Sequence, residues 1–382
     1  MRIAQFSESY PPVINGAAVA VDLLAGELEK THEVQVFAPR NGAYQDLRRV
    51  HRFPSYTWPT QRDYPIAAPI SPGIGAAFGA ARFEVVHTHS PFTLGQIGRR
   101  WARRAGIPVV TTYHTLYEEY AHYAPFLPPR AARRFLRDLS RRYCNACDAV
   151  VTPTEPIREV LREYGVHRPI LVVPTGLRLR PPVPADPAFP RGALGIPSSA
   201  PLLLYAGRLA REKNLELLFA AFSRVAREAP EAWFLIAGGG PVEAEARKMA
   251  QASGAAARIV FAGFVPPERM ELVYAAADLF LFSSLTDTQG LVLTEAKAAG
   301  VPAVAVNACG PGVVVTDGLD GFLTPNDPDA FAAAVLRILR NPDLHGAMCE
   351  AALREAQRFS ITATAAAYER LYEEVRAGMR SE

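Results

Sequence analysis

The sequence predicts an α/β protein made of two doubly wound domains. Three observations lead there. Short apolar runs alternate with helical segments in the first half, a proline-rich stretch interrupts them near the middle, and the same alternation then resumes. With 382 residues, 49% of them hydrophobic and 21% charged, the chain is long enough and apolar enough to fill two cores.

In the first half the expected strands are 2–6, 33–38, 85–89, 109–113, 149–153 and 170–174, with helical segments such as 19–30 and 93–105 between them. Residues 179–200 carry Pro181, Pro182, Pro184, Pro187, Pro190 and Pro197. Proline suits neither a helix interior nor a central strand, so this stretch reads as a linker. The second series of strands is 202–206, 233–237, 258–262, 279–282, 303–306 and 321–323. Two helices follow, 343–357 and 361–379. The expected organisation is therefore a first domain over 1–178, a linker over 179–200, a second domain over 201–358, and a closing helix in 359–382 that crosses back to the first domain. Two such sheets are expected to face each other across a cleft, with ligands outside the carboxyl ends of their strands.

No run of 18 or more apolar residues and no secretory leader pattern is present, and the expected location is the cytoplasm. Cys144 and Cys147 form a lone C-x-x-C, for which a structural reading is preferred over zinc. Net charge is +3, unevenly spread: residues 1–178 carry 22 basic and 15 acidic side chains, the remainder 19 and 23. A basic first half suits a polyanionic partner or an anionic membrane. No module combining aromatic and basic residues for nucleic acid is visible, so no nucleic-acid partner is expected.

Chemistry concentrates at the expected strand ends. Gly207-Arg208-Leu209-Ala210-Arg211-Glu212-Lys213-Asn214 follows a strand and opens a helix. Arg208 offers a guanidinium fork and Lys213 a point charge, a pairing that can hold a diphosphate; solvated loop cations are the plain alternative. The glycines of Ala237-Gly238-Gly239-Gly240-Pro241 allow a backbone to come close to a ligand, although glycine turns are common after strands. In the segment 283–296, Asp287 and Glu295 stand eight residues apart and can accept hydrogen bonds from sugar hydroxyls. Near Gly290 a helix N-terminus can receive an anion. The competing readings are an N-cap for Asp287 and an exposed helix charge for Glu295. In the first half, Gly16 stands between a strand and a helix, where backbone can press on a ligand. His114 ends a strand, pointing to the cleft. His87 and His89 lack a third nearby ligand for a metal. Asp327-Pro328-Asp329 precedes a helix and reads as its cap.

Taken together, these segments resemble the retaining GT-B glycosyltransferases of family 4. The resemblance spans nearly the whole chain, with Gly-Arg-Leu-x-x-Glu-Lys-Asn, Gly-Gly-Gly-Pro, Gly263-Phe264-Val265 and the acidic-x7-Glu segment in order. It implies that Arg208 and Lys213 neutralise the departing diphosphate, with Gly207 and Gly239 in the donor loops. It gives Glu295 the ribose and Phe264 and Val265 the base. Asp287 would hold a hydroxyl of the transferred sugar, beside the backbone of Gln289, Gly290 and Leu291. Gly16 would approach the phosphates, and His114 the sugar. The family usually has Glu followed by Phe-Gly where this chain has Asp287-Thr288-Gln289-Gly290. That variant looks like bacterial diacylglycerol glycosyltransferases, which favour UDP-sugars.

The expectation is a hexosyltransferase that retains anomeric configuration, needs no metal or other cofactor, and makes glycolipid from a nucleotide-sugar donor. A GDP-mannose or UDP-sugar transferase with a soluble sugar or polysaccharide acceptor is the nearest alternative, and a UDP-sugar epimerase or hydrolase of the same fold another. For the acceptor, the segment from Arg130 to Arg142 (RAARRFLRDLSRR) holds six arginines and one aspartate, with Ala132, Phe135, Leu136, Leu139 and Tyr143 at helical spacing. A basic amphipathic helix can rest on an anionic membrane, which would make the protein peripheral on the cytoplasmic face; a surface helix packed on its own domain has the same pattern.

Overall fold

The computed structural model describes residues 1–42, 44–58, 61–69, 71–123, 128–184, 186 and 189–381. Three residues of the proline-rich stretch, Ala185, Pro187 and Ala188, lie outside the described residues. The chain forms two compact units: Met1–Arg178 with everything from Phe359 on, and Leu179–Arg358.

The first unit runs β1 (Arg2–Phe6), α1 (Gly16–Leu28), β2 (Glu33–Pro39), β3 (Val50–Phe53), β4 (Ser55–Trp58), β5 (Gln61–Ala67), α2 (Pro72–Ala81), β6 (Val85–Thr88), α3 (Thr93–Ala105), β7 (Val109–Thr112), α4 (Pro129–Asn145), β8 (Ala149–Thr152), α5 (Glu155–Glu163) and β9 (Ile170–Val172). Seven strands form one parallel sheet in the order β3-β2-β1-β6-β7-β8-β9, while β4 and β5 pair antiparallel as a separate hairpin. Both faces of the sheet are covered, so its strands are nearly continuous apolar runs. Strand order reverses between β1 and β6, and the loops leaving those strands, with Glu8 and with His89, flank that switch point.

The second unit runs β10 (Leu202–Ala206), α6 (Leu215–Glu228), β11 (Trp233–Ala237), α7 (Glu243–Ala252), β12 (Ile259–Gly263), α8 (Pro267–Ala275), β13 (Leu279–Phe282), α9 (Leu291–Ala298), β14 (Ala303–Val306), α10 (Pro311–Val314), β15 (Gly321–Thr324), α11 (Pro328–Leu339) and α12 (Pro342–Ala356). Its six parallel strands lie in the order β12-β11-β10-β13-β14-β15. The reversal falls between β10 and β13, so the loops 207–214 and 283–290 leave the sheet side by side. The core packs Phe219, Phe222, Phe234 and Phe331 about the sheet.

Arg191 anchors the second half of the proline-rich stretch to this unit. Its guanidinium donates to the carbonyls of Pro197, Ala200 and Ala276 and to Asp278 Oδ2, which also accepts from the Leu202 amide at the start of β10.

The final helix, α13 (Ile361–Ser381), belongs to the first unit. Ala365, Tyr368, Leu371 and Tyr372 complete the core formed by Ile3, Val21, Leu24, Val36 and Val151. Its entry is tight, because a Cβ on Gly176 would lie 2.6 Å from Ile361 Cα. Among the described residues no helix is long and apolar enough to cross a membrane.

Candidate active site

The second unit gathers most of the expected site residues at the carboxyl ends of its strands. After β10, Gly207 takes φ +144°, a conformation L side chains rarely adopt. The fully buried Tyr205 donates its hydroxyl to the Arg208 carbonyl at 2.9 Å. Further along, Ser283 Oγ donates to the Lys213 carbonyl (2.7 Å) and Ser284 Oγ to that of Glu212 (3.2 Å). Asn214, at φ +52°, donates from Nδ2 to the Ser283 carbonyl. These bonds join the loops leaving β10 and β13 into one rim.

On that rim the Lys213 ammonium contacts both oxygens of Asp287, at 2.7 and 2.8 Å, with each side chain less than a fifth exposed. Asp287 therefore serves as the counter-charge of Lys213. It does not cap α9, whose N-cap is Gly290 at φ +83°. Asp327, by contrast, does cap a helix, accepting from the Ala330 amide.

Glu295 is not an exposed helix charge either. Burial raises its carboxyl above the usual range, and the buried Tyr274 hydroxyl, 2.6 Å from Oε2, counters by stabilising the anion. The hydroxyl arrives from α8, a contact that only the fold creates. Two residues beyond Glu295, Lys297 is completely buried. It lies 2.7 Å from Asp320 and donates to the Val314 carbonyl at 2.6 Å, tying α9 to the segments around β15.

Two glycines of the run are required by the protein's own packing. A Cβ on Gly238 would lie 1.9 Å from the Gly207 carbonyl oxygen, and one on Gly240 would lie 2.2 Å from that of Leu209. Close approach is needed there for the neighbouring protein loop. Gly239 accepts from the Leu209 amide at 2.9 Å. Gly238 in turn donates to Gly263, next to Phe264, which is 63% exposed, and the half-buried Val265. Gly310 plays the same part on the opposite loop: its Cβ would lie 2.4 Å from the Asp287 carbonyl oxygen and 2.7 Å from the Gln289 nitrogen. The only trace of that role in the sequence is a Gly-Pro pair between strand and helix.

Arg208, Lys213, Gly207, Gly239, Phe264, Val265, Asp287, Gln289, Gly290, Leu291 and Glu295 thus all belong to the second unit. Gly16 and His114 belong to the first. Gly16 opens α1 behind Asn15, whose Oδ1 caps the helix by accepting from the Ala18 amide. His114 follows β7, its Nε2 3.0 Å from Nδ1 of His89. Cys144 and Cys147 are buried free thiols. Among the described residues no group of three or more His, Cys, Asp or Glu side chains is placed to hold a metal ion.

Two Rossmann-like sheets with basic and acidic loops at the switch point of the second define a GT-B glycosyltransferase. The Glycosyltransferase Family 4 profile matches residues 14–180, and that of Glycosyl transferases group 1 matches residues 189–355. The chain is 31% identical to the alpha-monoglucosyldiacylglycerol synthase of Streptococcus pneumoniae over 90% of its own length and 80% of that protein. It is 28% identical to the enzyme of the same name from Acholeplasma laidlawii, over 97% and 96%. Among solved structures, the sucrose-phosphate synthase of Thermosynechococcus elongatus shares the fold with a TM-score of 0.81 at 24% identity, covering 99% of this chain and all of the other. The chain belongs to glycosyltransferase family 4 and is a hexosyltransferase.

Proposed function

We propose that this enzyme moves glucose from a UDP-sugar to the free hydroxyl of a diacylglycerol, with retention of anomeric configuration, at an anionic membrane surface. The observation that carries the donor half is the Lys213–Asp287 contact on the rim between β10 and β13, which puts a cation for phosphate beside an acceptor for a sugar hydroxyl. As the bond from sugar to diphosphate breaks, Arg208 and Lys213 neutralise the leaving group, the largest electrostatic demand of the reaction. Glu295 takes the ribose hydroxyls, and Phe264 and Val265 flank the base. Asp287 holds the sugar with the backbone of Gln289, Gly290 and Leu291. Gly16 approaches the phosphates, and His114 hydrogen-bonds the sugar. The donor's own phosphate receives the acceptor proton, so the scheme uses no protein nucleophile and no metal.

The lipid half rests on the names of the two relatives and on α4. That helix docks through the buried Ala132 and Tyr143, while Phe135 is 60% exposed among Arg130, Arg133, Arg134 and Arg137, all exposed. An outward aromatic ring among cations suits an anionic lipid surface. Trp101, by contrast, packs inward against Phe6 and Phe78 and is no part of such a surface.

The test is a screen of UDP- and GDP-sugars against diacylglycerol vesicles and soluble sugar acceptors, read by mass spectrometry, with the product anomer assigned by NMR. Glucosyl-diacylglycerol of α configuration from UDP-glucose is expected. Transfer only to soluble acceptors would overturn the lipid assignment. Separately, changing Arg133, Arg134 and Arg137 to Ser is expected to weaken sedimentation with anionic liposomes; unchanged binding removes α4 from the membrane surface.

A further inference from the structure

A layer of polar side chains crosses the carboxyl end of the first sheet on the face covered by α1 and α13. Because side chains alternate along a strand, that face receives Gln5 from β1, His87 and His89 from β6 and its exit, and Thr112 and His114 from β7 and its exit. Gln5 and His87 are fully buried, and His89 is 3% exposed. Polar groups at that depth need partners. Helix α13 supplies some: the Tyr372 hydroxyl lies 2.7 Å from His87 Nδ1, and that of Tyr368 lies 2.8 Å from Thr112 Oγ1, itself 2.7 Å from His87 Nε2. His87 thus has a hydroxyl at each nitrogen.

His89 differs. Its ring lies between those of His87 and His114, with centroids 4.1 and 5.2 Å away. Its Nδ1 is 3.0 Å from His114 Nε2, and its own Nε2 is buried without a hydrogen-bond partner among the described residues. Burial holds His87 and His89 well below the ordinary imidazole range and brings His114 down to about 4, so all three are neutral at pH 7 and each carries one N–H. If His114 donated from Nε2, His89 would carry its proton on Nε2, as an orphaned N–H in the core. Such groups are rare because they forfeit a full hydrogen bond to water. If His89 donates from Nδ1, its Nε2 is a bare acceptor and the His114 proton sits on Nδ1.

We infer that His89 is a positioning residue that fixes His114 as its Nδ1–H tautomer, so that His114 offers the sugar a donor and not an acceptor. This rests on the reading that His114 hydrogen-bonds the transferred sugar. The polar layer under α13 then sets the polarity of that contact, with His87 and its two tyrosines holding the His89 ring in place.

The test uses the full-length protein labelled with ¹⁵N-histidine, whose long-range proton–nitrogen correlations report which ring nitrogen is protonated. For wild type, His114 is expected to be protonated at Nδ1 only. His89→Asn keeps an amide donor near the Nδ1 position, and is expected to preserve that pattern with kcat within about threefold of wild type. His89→Leu removes the donor at similar volume, and is expected to mix the His114 tautomers and lower kcat about tenfold with little change in donor KM. A wild-type His114 protonated at Nε2, or an unchanged tautomer in His89→Leu, overturns the inference. Should His89→Leu fail to fold by circular dichroism, the wild-type and His89→Asn spectra decide it. Full activity in His114→Ala would overturn the sugar contact and leave the tautomer result standing, so the two failures are distinguishable.

Discussion

Lys213 places its ammonium on both carboxylate oxygens of Asp287, joining the loop after β10 to the loop after β13. In the donor site proposed above, a diphosphate would share or take over that cation. On that proposal, releasing the ammonium frees the Asp287 oxygens for a sugar hydroxyl, so phosphate binding and sugar binding would be coupled through one contact. Lys213→Ala is expected to lower turnover about 10²–10³-fold, the cost typical of removing one group that stabilises developing charge. Steady-state kinetics with a fixed acceptor check this, and full activity would remove Lys213 from the donor site.

The Tyr274 hydroxyl stabilises the Glu295 anion against burial. Tyr274→Phe therefore pushes the carboxyl further up, leaving more of it protonated at pH 6 than at pH 8. Donor KM is expected to rise about tenfold, more at the lower pH, with kcat nearly unchanged. An equal fall in kcat and kcat/KM, with KM unmoved, would mean that Glu295 acts in the transition state and not in donor binding.

Lys297 and Asp320 form an ion pair with both side chains at 0% exposure. Lys297→Met or Asp320→Asn alone is expected to cost about 3–5 kcal/mol in denaturant unfolding, because the remaining partner stays buried and uncompensated. The double change Lys297→Met with Asp320→Leu is expected to recover most of that loss. Single changes costing less than about 1 kcal/mol would show that water reaches the pair.

Acid stability has a definite sign. The unfolded chain protonates its histidines below about pH 6.5, whereas burial keeps His87, His89 and His114 neutral in the fold. Their contribution is complete above that pH and is lost as pH falls toward the folded values. Glu8 works in the opposite sense, since burial raises its carboxyl to about 7, and it offsets part of that loss. Glu8→Gln is expected to lose stability between pH 6.5 and 5 more steeply than wild type, by up to about 1.4 kcal/mol per pH unit. Parallel unfolding curves against pH would overturn the assignment.

Twelve of the strands are legible in the sequence because a parallel strand covered on both faces is an apolar run with turn residues at its ends. The three strands between Val50 and Ala67 are not. Val50-His51-Arg52-Phe53 is an edge strand with charged positions, and the antiparallel hairpin beyond it contains prolines and polar residues. In the candidate site, Arg208, Lys213 and Asp287 are legible as charges in glycine-containing loops at strand ends, and Glu295 as a carboxylate eight residues beyond Asp287. Tyr274, Ser283, Ser284 and Gly310 are not, because each acts through a neighbour distant in sequence. Nothing in the sequence separates Lys297 from an ordinary exposed helix lysine; only its packing in the fold reveals the pairing with Asp320.

The placement of α13 bears on how this chain is made. The second unit is one uninterrupted segment and can reach its native contacts as soon as it has left the ribosome. The first unit cannot, because Tyr368, Leu371 and Tyr372 are translated only after that whole segment. At elongation rates of about 5–20 residues per second, the seven-stranded sheet spends on the order of ten seconds or more with its α13 face uncovered. The domain begun first is finished last.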